Sequence, residues 1–253
     1  MGREIRAYAV RALAYALVLE GMLVAAVLYW PDLRDNIPSV LKLMPGRMLG
    51  DLVQSILREG ATAYVILQHY FKGCHGLGGA AAVLFAMGAV AGEAHRGTLE
   101  IWLARPLSRK RLLCERYVLG ALALAVPVFA TSATIPWLLS IVKEAPRAVP
   151  WTLASTHEAL FLLAIYSLTF FFSTIGRRPS AIAFGMILAL VLQFALYLVM
   201  EATHWSVLRL ADIEDFLAIV ERGTLDARTC VPLAAFSLVC LAASLIAFER
   251  RVP

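Results

Sequence analysis

The chain has 253 residues, 60% hydrophobic and 16% charged, with a mean hydropathy of +0.75 and a formal net charge of +5 at pH 7. Average soluble domains are about 45–50% apolar and about 25% charged. Here the apolar excess falls in runs of about 18–25 residues, the length that crosses a hydrocarbon core about 30 Å thick. That excludes an ordinary soluble domain and points to an all-α polytopic membrane protein, with residues 1–253 as a single transmembrane domain.

In chain order, residues 1–12 read as an amphipathic N-terminal segment. Leu13–Trp30 is the first span, interrupted only by Glu20. It is not read as a cleaved signal peptide, because it has Glu20 at its centre, no small-residue cleavage site and five more spans behind it. Residues 31–75 form an outer loop, in which the apolar positions 48, 49, 52, 53, 56 and 57 follow the period of an amphipathic helix. Gly76–Gly92 is the second span, and residues 93–116 form a connecting segment. Tyr117–Val142 is the third span; it carries Pro127 and Pro136 beside Thr131, Ser132 and Thr134, hydroxyls of the kind that satisfy carbonyls freed by proline. Thr152–Ile175 is the fourth span, with His157 and Glu158 near its start, and Ala181–Met200 the fifth. Residues 201–228 form an acidic outer loop with a helical stripe at Ile213, Phe216, Leu217 and Val220. Thr229–Phe248 is the sixth span.

Charge orients the spans. With six, both termini share a side, and that side collects Arg3, Arg6, Arg11, Arg96, Arg105, Arg109, Lys110, Arg111, Arg116, Arg177, Arg178, Arg250 and Arg251. Those thirteen basic residues face five acidic ones, Glu4, Glu93, Glu100, Glu115 and Glu249. Short basic connections stay in the cytoplasm, so both termini are expected there, in a cytoplasmic (inner) membrane. Topology accounts for the positive charge, and no nucleic-acid partner is needed.

The segment from Glu93 to Arg116 reads EAHRGTLEIWLARPLSRKRLLCER. Gly97 permits a sharp turn, and Thr98 is a good N-cap for a short helix. Glu100 stands in that helix's first turn, where the dipole favours an acid. Leu99, Trp102 and Leu103 make a small apolar face. Pro106 drives Arg105 out of helical geometry, and Ser108 caps the next helix, which enters the third span through Arg109. On local physics alone the segment is either such a surface helix or an ordinary basic loop with interfacial anchors.

The pattern E-x-x-x-G-T-L-E-x-x-L-x-x-P-L-S-R, from Glu93 to Arg109, resembles the permease subunits of ABC exporters of the ABC type 2 family. Glu93, Gly97, Thr98, Leu99, Glu100, Leu103, Pro106, Ser108 and Arg109 match; His95 and Arg96 stand where the family commonly carries acids. The resemblance implies six spans and a coupling helix docked in a cleft on a separate ATPase. Glu93, Glu100 and Trp102 are among the expected ATPase-coupling residues, with the two acids pairing with basic groups of that ATPase. It further implies an ATPase dimer, holding ATP and Mg, beneath two permease chains, here expected as a homodimer about a two-fold axis. No G-x-x-x-x-G-K-[ST] run occurs in the chain, so no cofactor is expected on it and no catalytic residue is assigned.

Other groups stay open. Glu20 and Glu158 are ionisable residues within spans, where charge is costly and usually functional; Glu20 either lines a pathway or meets a structural partner, and Glu158 either does the same or reaches the outer interface. His69, Cys74 and His75 are weak candidates for a soft metal site in the outer loop. Gln193, Ser167, Thr169 and Ser173 are expected as hydrogen bonds between helices. Cys74 and Cys230 both fall toward the outer face, where a bridge is chemically permitted. His157-Glu158 lacks the second histidine of a zinc-protease helix. Two function classes follow: an exporter permease moving an amphipathic substrate, or a protein that moves none by ATP. The latter is a permease passing force to an extracytoplasmic partner, or an ATP-independent channel, secondary carrier or assembly anchor.

Overall fold

The computed structural model describes residues 2–43, 56–103, 108–144, 151–199 and 201–251, and among these every regular element is helical. Helix α1 (Gly2–Leu43) is followed by an uninterrupted helical run made of α2 (Ala61–Val65), a π-helical stretch (Ile66–Gly78) and α3 (Gly79–Ala86). Two short helices, α4 (Ala91–His95) and α5 (Leu99–Leu103), lead to α6 (Arg109–Ile141). Helices α7 (Trp151–Ile175) and α8 (Pro179–Leu198) follow. Two 3-10 turns then lead to α9 (Ile213–Arg222), and α10 (Ala227–Glu249) ends the bundle.

Five helical stretches are long and apolar enough to cross a membrane: Glu4–Asn36, Arg109–Ile141, Trp151–Ile175, Pro179–Leu198 and Ala227–Glu249. They correspond to the first, third, fourth, fifth and sixth spans read from the sequence. The second differs. The continuous helical run begins at Ala61 rather than Gly76, because the histidines that break the hydropathy of this stretch turn inward: His69 is buried and the His75 side chain is 5% exposed, while Lys72 faces out. Its other end arrives earlier too, since α3 stops at Ala86 and the chain turns before α4. Ser173 of α7 holds that turn, donating to the Met87 carbonyl (2.9 Å) and accepting from the Val90 and Ala91 amides (both 3.1 Å).

Two further boundaries are corrected. The N-terminal segment 1–12 is not a separate element, for from Gly2 onward it is continuous with α1, which also runs through Pro31 into the expected 31–75 loop. Most of the proposed amphipathic helix at 48–57 lies outside the described residues. The hydroxyls beside the prolines of α6 also behave differently from expectation. Pro127 and Pro136 free the carbonyls of Ala123 and Ser132, yet Thr131 bonds Pro127 O (2.9 Å), Ser132 bonds Val128 O (2.6 Å) and Thr134 bonds Thr131 O (2.7 Å).

Helix α7 is the centre of the bundle and packs against α3, α6 and α10. Its buried polar residues are mostly satisfied within the helix, as with Thr169 to Ile165 O (2.8 Å) and Thr174 to Phe170 O (2.9 Å). Ser167 also meets Tyr117 Oη of α6 at 2.6 Å. Gln193 bonds the Val207 amide at 2.8 Å, which pins a 3-10 turn to α8. Close approach is permitted by glycine: the Tyr166 ring of α7 fills the space a Cβ at Gly120 of α6 would need.

Candidate functional site

The Glu93–Arg116 segment is built around one arginine. Arg116, in the second turn of α6, is 6% exposed. Its guanidinium donates to the Ala89 carbonyl, to Glu93 Oε1 (3.0 Å) and to Glu4 Oε1 of α1 (2.5 Å). Glu93 is held as well by Arg96 (2.8 Å) and by the Thr98 hydroxyl. Thr98 therefore folds back onto Glu93, and Gly97 makes this possible with a φ of +69°, in the left-handed region where a Cβ is penalised. Burial alone would push the Glu93 carboxyl up, but the Thr98 and Arg116 donors hold it below the ordinary carboxylate range.

Beyond this turn, Leu99 is buried while Glu100 and Ile101 (70% exposed) face outward on α5. The Trp102 and Leu103 side chains, and Pro106, lie outside the described residues. Ser108 caps α6 as expected, accepting from the Arg111 amide at 3.3 Å. Arg109 donates to the carbonyls of Glu249 (3.1 Å) and Arg251 (2.9 Å), and Lys110 pairs with Glu249 (3.2 Å). Arg251 in turn donates to the carbonyls of Thr174 and Gly176 at the end of α7. One polar layer thus ties the segment to α1, α7 and α10. Glu93 is engaged inside the chain rather than left for an external base; its partners Glu4 and Arg116 are remote in sequence, and no local pattern announced them.

A second cluster lies toward the opposite end, on the π-helical stretch. π-Helix is rare, and its usual single-turn form is frequent at functional sites. Tyr70 Oη lies 3.1 Å from Ser132 Oγ, 3.2 Å from Ser155 Oγ and 3.2 Å from the Trp151 carbonyl, and His69 Nε2 is 3.1 Å from Ser132 Oγ. His75 Nδ1 is 3.1 Å from Glu158 Oε2. Glu158 is 0% exposed, because α7 is central and α9 packs against it. Gly78 lets α1 close on this cluster; a Cβ there would meet Tyr15 Oη at 2.5 Å and Leu162 Cδ1 at 2.9 Å.

The remaining candidates separate. Glu20 accepts from Thr134 Oγ1 at 3.1 Å, which gives it a structural partner on α6. His69, Cys74 and His75 sit in a buried helix rather than a loop, and among the described residues no three ligands gather for a metal. Cys74 and Cys230 are both free thiols, and His157 Nδ1 lies 3.4 Å from Cys230 Sγ. Between α6 and α7 runs an apolar groove of about 270 Å³, floored by Ala121, Ala125 and Ala159 and flanked by Leu122, Phe129 and Leu160.

Long apolar helices joined at one end by a charged polar layer define a multi-pass membrane protein. The profile described as ABC-2 family transporter protein matches residues 13–221, most of the chain, and the chain belongs to that family. It is a membrane permease of an ABC transporter, and permeases of this family generally work with an ABC ATPase partner. No curated protein matches the chain.

Proposed function

We propose that this chain is the membrane-spanning half of an ABC exporter, driven through residues 93–116 by a separate ATPase dimer that holds ATP and Mg. The supporting observation is the polar layer: α5 offers Glu100 and Ile101 outward, while both flanks of the segment are tied by Arg116, Arg109 and Arg251 to α1, α7 and α10. A push on α5 is then shared among helices instead of being lost in a loose loop. In this reading residues 61–86 complete six spans, both termini are cytoplasmic in the inner membrane, and two copies pair about a two-fold axis. The substrate is amphipathic, in keeping with the apolar groove between α6 and α7 and with the cost of burying unpartnered charge.

Reversing Glu100 with E100K tests the coupling role. It should abolish transport of a labelled amphipath in proteoliposomes and weaken co-purification of the ATPase, with membrane insertion intact; unchanged association and transport would refute the assignment. Cysteines introduced at Asp215 and Arg178 test the orientation. A membrane-impermeant maleimide should label the first from outside and miss the second.

A further inference from the structure

The His75–Glu158 pair is unused by the coupling role, and its surroundings are unusual for an acid. Neither Glu158 oxygen meets an aligned donor among the described residues, and His75 Nε2 has no hydrogen-bond partner there either. His75 Nδ1 faces two acceptors, Glu158 Oε2 at 3.1 Å and the Tyr70 carbonyl at 3.3 Å. Beside an ionised Glu158, a nitrogen between two acceptors must carry the hydrogen, so there the neutral tautomer is the Nδ1–H form. Aromatic rings enclose the imidazole: Phe161 stacks on it at 4.4 Å and 18°, Phe71 lies at 5.4 Å, and Phe216 of α9 stands edge-on at 6.2 Å.

These facts decide the charge. An ionised carboxylate without a counter-charge is costly at zero exposure. A protonated Glu158 would have to give its hydrogen to His75 Nδ1, which would then have none to offer the Tyr70 carbonyl. An imidazolium supplies the counter-charge to Glu158 and keeps a hydrogen on Nδ1 for the two oxygens, and the face of Phe161 favours a cation over it, although its Nε2–H meets no hydrogen-bond partner among the described residues. We propose that His75 and Glu158 form a proton-binding site inside the bundle, in which one proton taken up on Nε2 of His75 completes an imidazolium–carboxylate pair, and that α9, through Phe216, is its cover. The uptake changes the net charge of the pair from minus one to zero, and no other bond is made or broken. The other titratable groups facing the pair are Tyr15 of α1, Tyr70 and Cys74 of the π-helical stretch, His157 of α7 and Asp212 at the start of α9. Asp212 is occupied by Tyr197 (2.5 Å) and by the capping box of α9.

Loss of the proton leaves the carboxylate uncompensated, and water must reach it. The cover is light: α9 has 10 residues between its Asp212 cap and Gly223, which has a φ of +66°. Deprotonation should therefore loosen α9. The test uses purified full-length protein in nanodiscs, and neither of its readouts involves an ATPase or transport. Difference infrared spectra of wild type minus E158Q should contain no acid-carbonyl band from Glu158 at neutral pH, whereas H75L should gain one. Amide exchange in α9, corrected for its intrinsic pH dependence, should rise several-fold in wild type as pH climbs through the imidazole range of about 5–8, and should be flat in H75L/E158L. A Glu158 acid-carbonyl band in wild type, or an equal pH response of α9 in the double variant, would overturn the proposal. If H75L does not fold, the wild-type spectrum and the uncharged double variant still decide it.

Discussion

The two ionic clusters of this bundle neutralise their acids in opposite ways. At Glu93 the charge is spread: Arg116, Arg96 and Thr98 all donate to one carboxylate, and Arg116 reaches a second acid, Glu4. The Arg96 side chain is 62% exposed, so water still reaches that edge. At Glu158, itself 0% exposed, there is one nearby imidazole, that of His75, walled by aromatic rings. Removing one donor from a shared network leaves the acid with others, whereas removing His75 leaves Glu158 with nothing of opposite charge. The same residue types therefore make a redundant tie in one place and an all-or-nothing pair in the other.

That contrast can be broken by substitution. The largest effect should come from H75L, since truncating one partner of a buried ion pair costs about 3–5 kcal/mol; the loss would be read as a fall in Tm in detergent, and H75L/E158L should recover most of it. R116L should cost less, about 1.5–3 kcal/mol, the range for hydrogen bonds to charged groups. A larger loss in R116L than in H75L would reverse the comparison. G120A, which forces a Cβ into the Tyr166 ring, should cost about 1–3 kcal/mol by overpacking and should leave the pH response of both clusters alone. The smallest effect is the pH dependence of Glu93. Its folded value is depressed, so its stabilisation is complete above the unfolded carboxylate value of about 4.3 and fades as pH falls through the lower folded value. E93Q should flatten the Tm profile in that acidic window and nowhere else.

How much of this was legible in the sequence follows from what is local. Five spans were readable because hydropathy over about 20 residues is a local sum, and Ser108 was readable as a cap because capping needs only its own neighbours. The helix over 61–78 was not, because Gln68, His69, Lys72 and His75 break its hydropathy, and the neighbours that bury His69 and His75 lie on other helices. Thr98 looked like an N-cap from its spacing, but Glu93 competes for its hydroxyl through a glycine turn that brings the two together. Arg116 read as one more positive charge near a membrane boundary. Its role depends on Glu4 and Glu93 meeting at one point in space, which no window along the chain contains.

Helix α1 has a consequence for imaging. Its 42 residues rise about 1.5 Å each, giving a rod of about 63 Å, roughly twice the thickness of a hydrocarbon core. Tilted by about 40°, the upper end of the usual range, it would still measure about 48 Å along the membrane normal. A rod of that length would reach past the hydrocarbon layer, on one face or both. It therefore serves as a built-in fiducial for aligning a particle of only 27.7 kDa per chain, and a tag fused beyond either end of it would mark the faces of the micelle directly.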